Sequence, residues 1–355
     1  MKILLLGEHS SIHFNLKDGL TELGHEVDIA SNGDGWKKIP RDIDLDYSKK
    51  WINSKIANRI YPWIDIKKII DYDIVQIISP DVLFRSYFPR KLFFNILKKY
   101  NSKVFLLAAG SDAYFWKYGR QRLRYGPFED TLRYDLNSDK HPSEEKKYIE
   151  FNEFLADLVD GIIPVMPEYE ICYYGHKNLL NTIPMPINAA KVEYKENVIN
   201  KKIIIFHGLN RYGFKGTRHV EEAFSILQKK YPNDLELIID GHMPLNEYLK
   251  LIKKTNILID QTNCYSVGVN GLYAMAMGKV TLGGAEPESL KSLKVDSSPC
   301  INIKPNGLSI INKIEKLIDK KRDITEIGLK SRKFIEEVHG HIEIAQKYLD
   351  TWRLA

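Results

Sequence analysis

The sequence predicts an α/β protein in which short buried strands alternate with helices. Two stretches carry this prediction. Residues 2–31 contain an apolar strand, an amphipathic helix and a second strand, and residues 256–284 contain a strand, a polar loop, a helix and another strand. Strands that alternate with helices pair in parallel, and strands this apolar are buried on both faces.

The composition is that of a globular protein with two domains. The 355 residues allow two domains of ordinary size, and 44% of them are hydrophobic. The 52 basic and 46 acidic residues give a net charge of +6, too small an excess to indicate nucleic-acid binding. Three distant cysteines, Cys172, Cys264 and Cys300, predict neither a disulfide nor a metal cluster, and favour a reducing cytoplasm. We expect no signal peptide and no membrane span.

The chain opens with a Rossmann-like unit. Lys2–Gly7 reads as a buried strand, Ile12–Leu23 as an amphipathic helix and His25–Ser31 as the next strand. The loop between the first strand and the helix lacks the glycine fingerprint of a dinucleotide site, and Asp28 lies inside the second strand rather than at its end. The sequence therefore excludes NAD and FAD as cofactors.

A polar triplet follows the fourth predicted strand. Asp73–Ser79 and Lys103–Ala109 read as strands, and the second of them ends in Gly110-Ser111-Asp112. Ligands of open α/β sheets bind at the carboxyl ends of strands, which makes Asp112 a candidate site residue. The alternative is that this residue caps a helix, which would look the same in the sequence.

The remainder of the first half contains a long loop and a linker. Ala113–His141 is rich in Tyr, Trp and Arg without clear periodicity, and a loop of this length predicts a function such as acceptor binding. Glu144–Leu158 reads as a helix and Gly161–Met166 as a strand. The prolines of Pro184–Asn188 resist regular structure, so this segment is the predicted linker.

The second half repeats the pattern of strands and helices. Lys202–Phe206 and Leu235–Asp240 read as strands, with the helix Thr217–Lys230 between them. Further on, residues 299–303 read as a strand, and residues 308–320, 324–338 and 341–352 as helices. The chain contains no internal repeats.

One helix of the second half resembles a known family. The run Ala274-Met275-Ala276-Met277-Gly278-Lys279-Val280, followed by Gly283-Gly284, is similar to the donor-site helix of GT-B glycosyltransferases, particularly the family-four retaining enzymes. The sequence departs from that family at its two glutamate positions, where Tyr265 and Tyr273 stand. A phenol can hydrogen-bond a hydroxyl but carries no charge near neutral pH.

The resemblance implies a fold and a set of site residues. The fold is GT-B, with two Rossmann-like domains whose parallel sheets face a cleft and a C-terminal helix that crosses back to the first domain. The implied domains are 1–188 with 340–355, for the acceptor, and 189–339, for the donor. The implied site residues are Arg211, Lys215 and Gly268 for the donor diphosphate, Tyr265, Ser266, Asn270 and Tyr273 for the sugar and ribose, Gly241 and His242 near the nucleobase, Glu8, His9 and Ser10 in the first domain's cleft loop, and Asp112 as the catalytic residue. An ordinary surface turn is the alternative for the loop of Glu8.

The function implied by the resemblance is glycosyl transfer. The donor would be a UDP- or GDP-linked sugar, and the acceptor a glycan or lipid-linked glycan of bacterial surface polysaccharide. Retention of configuration follows from the resemblance alone, and no metal or cofactor is expected because Arg211 and Lys215 supply positive charge. The alternatives are a nucleotide-sugar epimerase with the same fold and a non-catalytic binding module that lost activity with its two glutamates.

Two segments of the first half mix cations with aromatic residues. Lys49–Ile70 and Tyr87–Tyr100 have the composition of a surface that lies on an anionic membrane. The alternative is two ordinary helices with charged outer faces and buried aromatics. The first interpretation predicts a cytoplasmic protein that is peripheral on the inner face of the plasma membrane.

Overall fold

The computed structural model describes residues 1–47, 54–80, 89–241 and 245–355. The strands are β1 (Lys2–Leu6), β2 (Glu26–Ser31), β3 (Ile43–Asp44), β4 (Ile74–Ile78), β5 (Lys103–Ala108), β6 (Gly161–Pro164), β7 (Ile203–Gly208), β8 (Leu235–Asp240), β9 (Ile257–Ile259), β10 (Val280–Gly283) and β11 (Ile301–Asn302). The helices are α1 (Ile12–Glu22), α2 (Ser54–Asp65), α3 (Arg90–Lys99), α4 (Arg120–Arg122), α5 (Phe128–Asp130), α6 (Lys146–Leu158), α7 (Pro167–Tyr173), α8 (Tyr212–Lys215), α9 (Thr217–Lys230), α10 (Leu245–Lys254), α11 (Val269–Ala276), α12 (Pro287–Leu293), α13 (Gly307–Asp319), α14 (Asp323–Val338) and α15 (His341–Leu354).

The strands form two parallel sheets. The first has the order β3-β2-β1-β4-β5-β6 and the second the order β11-β10-β9-β7-β8. In the first sheet the chain adds strands on one side of β1 and then on the other, and in the second sheet it does the same around β7. Open α/β sheets bind ligands at the point where the order of strands switches sides in this way. The predicted α/β class with two parallel, Rossmann-like sheets is confirmed.

The chain divides into two compact units. The first comprises Met1–Gln121, Pro142–Asn188 and His341–Ala355, and the second comprises Arg122–His141 and Ala189–Gly340. The domain bounds implied by the resemblance put Arg122–His141 in the first domain. In the structure this segment belongs to the second unit, where Arg124 and Asp130 have their partners Glu286 and Arg218.

The first unit is built on apolar strands and closed by the C-terminal helix. Strands β1, β4 and β5 are almost entirely buried, as their unbroken apolar sequences predict. Helix α15 packs on α1 at Gly19, where any side chain would overlap the carbonyl of His341. The Nε2 atom of His341 lies 2.9 Å from Glu22, and the ring of Trp352 packs against Phe105.

The second unit has its own core. Strands β7, β9 and β10 pack their apolar side chains against α9, α13 and the start of α14. The buried members include Ile203, Ile205, Val220, Leu227, Ile257, Ile259, Val280, Leu282, Ile310, Ile314 and Ile324. Gly278 follows α11 with φ +80°, the left-handed conformation that ends many helices and favours glycine.

Two local features differ from the sequence-based expectation. The range Ala113–His141, predicted as a long loop, contains short helical turns, among them α4, α5 and Thr131–Leu136. Strand β3 at the sheet edge is only two residues long and carries no apolar run that would predict it. Within the described parts of the chain, no helix is both long enough and apolar enough to cross a bilayer.

Candidate functional site

The strongest candidate site lies at the carboxyl edge of the second sheet. Strands β7 and β9 are paired, with His207 opposite Ile259, so the loops that follow them leave the same edge. The loop after β7 carries Arg211 and Lys215, and the loop after β9 leads into α11. The structure therefore brings together the two stretches that the sequence analysis assigned to a donor diphosphate.

Glycines allow these loops to approach each other closely. Gly216 has φ +67°, and a Cβ there would overlap the hydroxyl of Thr262. The N–H of Thr262 in turn donates to the carbonyl of Lys215 at 3.0 Å. Any larger residue at 216 would push the two loops apart.

A buried ion pair lies between the two loops. Lys215 and Asp260 are 6% and 2% exposed, and the Lys215 Nζ lies 3.9 Å from Asp260 Oδ1. The other carboxylate oxygen, Oδ2, accepts the N–H of Gly268 at 2.7 Å. Gly268 is the residue that precedes α11, so one carboxylate contacts the cation of one loop and the helix start of the other.

A neutral histidine lies beside this pair. His207 is fully buried; its Nδ1 lies 2.9 Å from the carbonyl of Ile259 and its Nε2 lies 3.0 Å from the Thr217 hydroxyl. A backbone carbonyl only accepts, so Nδ1 carries the proton and Nε2 accepts from the hydroxyl. Burial, together with the Lys215 cation, lowers the pKa of His207 to about 3. The imidazole is therefore uncharged near neutral pH.

Arg211 points outward from the same loop. It is exposed, and its guanidinium lies 3.7 Å from the ring centroid of Phe214. Stacking of this kind holds the planar cation in place without a carboxylate. The loop thus presents one exposed cation and one buried cation, four residues apart.

Residues of the predicted sugar and ribose set lie on and before α11. Ser266 is buried, whereas Asn270 and Tyr273 are half-buried. The hydroxyl of Tyr248, from α10, donates to Asn270 Oδ1. A Cβ at Gly208, the last residue of β7, would lie 3.7 Å from Asn270 Nδ2, so this asparagine stands at the carboxyl end of β7.

Tyr265 is engaged in contacts within the second unit. It is 2% exposed, and its hydroxyl accepts the backbone N–H of Arg124 at 2.6 Å. The Arg124 guanidinium lies 4.9 Å from the Tyr265 ring centroid. The ring centroids of Tyr125 and Tyr265 are also 4.9 Å apart. The resemblance implies that Tyr265 contacts the sugar or ribose, and that role stays a prediction; in the structure its hydroxyl accepts the backbone N–H of Arg124.

A carboxylate that the sequence analysis did not select contacts both Arg124 and Tyr125. Glu286 is 2% exposed and accepts hydrogen bonds from Tyr125 and Asn302, both at 2.9 Å, and from Lys304. Arg124 binds it at 3.0 Å. Burial alone would raise the pKa of Glu286, but these donors hold it below its ordinary value.

The rest of Arg122–His141 is fixed to the same unit by two aspartates. Asp130 accepts from Arg218 at 2.9 Å and from Asn263 at 3.2 Å. Asp135 accepts the N–H groups of Gly213 and Phe214, at 2.8 and 2.9 Å, at the start of α8. These contacts join residues more than 75 positions apart in sequence, which no local pattern could have revealed.

Gly241, one of the two residues predicted near the nucleobase, lies at the end of β8. A Cβ at Gly241 would overlap the carbonyl of Leu209, so glycine is needed where β8 ends beside the loop after β7. The Gly241 N–H donates to Asp240 Oδ1 at 2.7 Å. His242 lies outside the described residues.

In the first unit, two predicted site carboxylates accept backbone N–H groups of helical residues that follow them, in α1 and in the helical segment Phe115–Gly119. Glu8 is 2% exposed and accepts the N–H groups of His13 and Phe14 at the start of α1; burial raises its pKa to about 7. Asp112 is 1% exposed, with Oδ1 accepting the N–H of Phe115 and Oδ2 the hydroxyl of Tyr173. Contact with the N–H three residues on is the geometry of the helix-cap alternative.

The other two residues of the first loop differ from Glu8. His9 is half-buried beside Gly110, where a Cβ would lie 3.2 Å from its ring, so it stands at the carboxyl ends of β1 and β5. Ser10 donates its N–H to Asp34 at 2.8 Å, and its hydroxyl accepts from Lys37. Its φ of +54° is left-handed. Among the described residues of both units, no group of three or more His, Cys, Asp or Glu side chains could hold a metal ion.

Comparison with known proteins decides the fold. No family model matches the chain, and no curated protein sequence matches it. Solved structures do. The Anabaena protein HepE in complex with UDP-glucose superposes with a TM-score of 0.63 at 12% identity, over 100% of both chains. Sucrose-phosphate synthase from Thermosynechococcus elongatus gives 0.64 at 13% identity, over 100% of this chain and 99% of that one.

The fold is GT-B. A third structure, an α-glucosyltransferase in complex with UDP and DNA, agrees with a TM-score of 0.62 at 12% identity over 99% of both chains. The predicted GT-B fold is confirmed. At these identities the likeness concerns the fold, so the chemistry must be argued from this chain's own residues.

Proposed function

We propose that this GT-B protein is a glycosyltransferase that moves a sugar from a nucleotide diphosphate donor to a glycan or lipid-linked acceptor. The observation that carries the proposal is the convergence of Lys215, the exposed Arg211 and the N-terminus of α11 at one sheet edge. A departing nucleoside diphosphate gains negative charge, and fixed cations together with helix N–H groups stabilise that charge. Structures of HepE and of the α-glucosyltransferase, which share the fold, have been solved in complex with UDP, so UDP is the first nucleotide to test.

In this proposal, each loop of the second unit has one task. Arg211 and Lys215 bind the diphosphate together with the Gly268 end of α11. Asn270 and Tyr273 lie on the first two turns of α11 and contact the ribose and sugar, with Ser266 beside them. Gly241 lies on the nucleobase side. We further propose retention of configuration, no metal requirement and a role in bacterial surface polysaccharide synthesis.

The first unit would bind the acceptor. His9 stands at the carboxyl ends of β1 and β5 and is the best placed of the loop residues Glu8, His9 and Ser10. For Asp112 two roles stay open, the catalytic role and the helix cap that its geometry matches.

Nucleotide binding followed by donor turnover tests the function. We expect UDP or GDP to raise the melting temperature, and CMP and inorganic phosphate to raise it less. A donor with that nucleotide should then be consumed only when an acceptor is supplied. Conversion of the donor to an epimer without an acceptor would favour the epimerase. Binding without any turnover, across a range of acceptors, would favour the non-catalytic module.

We also propose that the first unit lies on an anionic membrane surface. Helices α2 and α3 pack together through Trp63 and Phe93, whose ring centroids are 5.9 Å apart. Ile60, Ile64 and Leu92 are 49%, 59% and 54% exposed on these helices. Exposed lysines, Lys67 and Lys68 after α2 and Lys91 on α3, accompany them, which is the combination that anionic lipid attracts. Residues 49–53 and 87–88 of the two predicted segments lie outside the described residues.

Vesicle sedimentation tests this surface. Binding to vesicles with anionic lipid should weaken as salt rises, because screening acts over about 8–10 Å at physiological ionic strength. Ile64→Ser should weaken it further, whereas Leu329→Ser, a matched exposed apolar residue on α14 of the other unit, should not. Equal binding to neutral and anionic vesicles would remove the preference for anionic lipid, and no binding at low salt would remove the membrane from the account.

A further inference from the structure

Asp260 makes two contacts that no resemblance assigned to it. It follows β9 directly and is 2% exposed. Its Oδ2 atom accepts the N–H of Gly268 at 2.7 Å, and its Oδ1 atom lies 3.9 Å from Nζ of the buried Lys215. The second distance is longer than a hydrogen bond, so the attraction there is Coulombic.

The surrounding backbone is shaped to this carboxylate. A Cβ at Gly268 or at Gly271 would lie 3.1 Å from Asp260 Oδ2. A Cβ at Gly271 would also lie too close to Val267. These two glycines let the first turn of α11 close over the carboxylate, which holds it against the helix start.

Asp260 is a carboxylate that faces Lys215, and the described ionisable groups near the pair differ from it in charge or in partner. His207, from β7, is neutral because burial lowers its pKa to about 3. Burial and the Asp260 charge raise the pKa of Cys300, before β11, so the thiol is protonated. Burial also raises the pKa of Tyr248, from α10, so its hydroxyl is uncharged. The carboxylate of Asp130 accepts a hydrogen bond from Arg218.

We propose that Asp260 is a positioning residue of the donor site, whose carboxylate holds the Lys215 ammonium charged and the start of α11 in place for a nucleoside diphosphate. The proposal rests on the function proposed above. It adds a residue that touches neither diphosphate nor sugar and acts through the two groups that would touch the diphosphate.

The expected behaviour follows from the cost of burying a charge. An ammonium that loses its buried counter-charge has a lower pKa, because burial disfavours the charged form. Without the carboxylate, Lys215 would lose its proton as pH rises through that lowered pKa. Diphosphate binding needs the charged lysine, so affinity would fall over the same pH range.

The first experiment measures the pair without nucleotide. Urea unfolding would compare Asp260→Asn, Lys215→Met and the double variant with the surface pair Asp234 and Lys321, each side chain of which is 42% exposed. We expect each single site variant to lower the urea midpoint and the double variant to regain part of the loss, since breaking a buried pair costs more than replacing it. The surface pair should show additive shifts.

Folding of the double variant decides whether Asp260 and Lys215 are coupled. If Asp260→Asn fails to fold but the double variant folds, the coupling is demonstrated directly. If the site variants lower the midpoint additively, or if the double variant also fails to fold, then Asp260 serves Gly268 alone and the proposal is wrong.

The second experiment measures UDP and GDP affinity from pH 6.5 to 9.5. Because the nucleotides themselves titrate in this range, the readout is the affinity of each variant relative to wild type at the same pH. We expect the affinity of Asp260→Asn to fall at least ~10-fold relative to wild type as pH rises and Lys215 loses its proton in the variant. Lys215→Arg in the Asp260→Asn background should restore a profile parallel to that of wild type, because arginine stays charged throughout. Parallel profiles for wild type and Asp260→Asn would overturn the proposal. If the wild type binds neither nucleotide, the proposed function fails and the donor role of Asp260 with it, while the urea result still decides whether the pair is coupled.

Discussion

The two sheets end in polar residues at corresponding edges, yet the structure uses these residues differently. At the first sheet, the carboxylates of Glu8 and Asp112 accept backbone N–H groups at helix starts. At the second sheet, Asp260 accepts one N–H group and also faces a buried ammonium. A carboxylate that follows a strand can therefore accept only backbone N–H groups, as Glu8 does, or can also face a buried cation, as Asp260 does. A lysine such as Lys215 beside the carboxylate distinguishes the second arrangement from the first.

The largest expected effect tests the close packing of the second edge. Gly216→Ala adds a Cβ in a left-handed conformation and against Thr262, so it should lower the free energy of unfolding by about 3 kcal/mol, since strain and overpacking each cost about 1–3 kcal/mol. Gly24→Ala is the matched control. It has φ +82° with nothing within 4 Å of its Cβ, and should cost about 1 kcal/mol. Chemical denaturation measures both, and equal losses would show that the loops do not need this contact.

A pH-dependent effect tests the first edge. Burial raises the pKa of Glu8 from 4.5 to about 7, so the folded state retains this proton where the unfolded state has lost it. The resulting stability is fully present below pH 4.5 and is lost as pH rises through about 7. Relative to Glu8→Gln, the wild type should lose about 1–3 kcal/mol between pH 5 and pH 8. A constant difference between the two proteins over that range would show that Glu8 does not titrate in it.

Asp112 offers a direct choice between cap and catalysis. Asp112→Ala should lower the free energy of unfolding by about 0.5–2 kcal/mol through loss of the cap. Asp112→Asn keeps oxygen and nitrogen where the carboxylate was, so it should retain more of that stability. If the Asn variant is folded but has lost donor turnover, the catalytic role holds. If it turns over like wild type, the carboxylate is a cap.

The smallest expected effects separate the two tyrosines of the second edge. Tyr265→Phe removes the hydroxyl that accepts from Arg124 and should lower the free energy of unfolding by about 0.5–1.5 kcal/mol without changing nucleotide affinity. Tyr273→Phe should lower nucleotide affinity by about the same amount if its hydroxyl reaches the ribose. Denaturation and calorimetry on both variants provide the comparison. Exchanged outcomes would mean that Tyr265, not Tyr273, contacts the donor.

The sequence predicted the framework of this protein better than the contacts that its candidate site residues make. The pattern of apolar residues located the strands β1, β4, β5 and β7 and the helices α1 and α9. A strand buried on both faces is a continuous apolar run, and a helix buried on one face has apolar residues every three or four positions. The sequence could not tell that Glu8 caps α1, because a cap and a ligand use the same atoms. It also could not place Arg122–His141, whose anchors Glu286, Arg218 and Gly213 are distant in sequence.

Asp260 shows what a closer examination of the sequence could have found. A carboxylate directly after a three-residue apolar strand, beside a lysine loop on the neighbouring strand, is a site signal of the kind that selected Asp112. Its partner Lys215 was selected through the resemblance alone. The contact between Asp260 and Lys215 depends on β9 and β7 being neighbours in the sheet, which cannot be predicted from the sequence alone.

The central claim is that the edge of the second sheet, not that of the first, binds a nucleoside diphosphate. Calorimetric titration of UDP and GDP tests it most directly, using wild type, Arg211→Ala, Lys215→Ala and, as a control cation on the far end of α9, Lys230→Ala. We predict that one nucleotide binds the wild type and Lys230→Ala equally, and that Arg211→Ala and Lys215→Ala each lose about 1.5–3 kcal/mol of binding free energy, as expected for charge-assisted hydrogen bonds. Unchanged affinity in both of these variants, or no binding of either nucleotide to the wild type, would contradict the account.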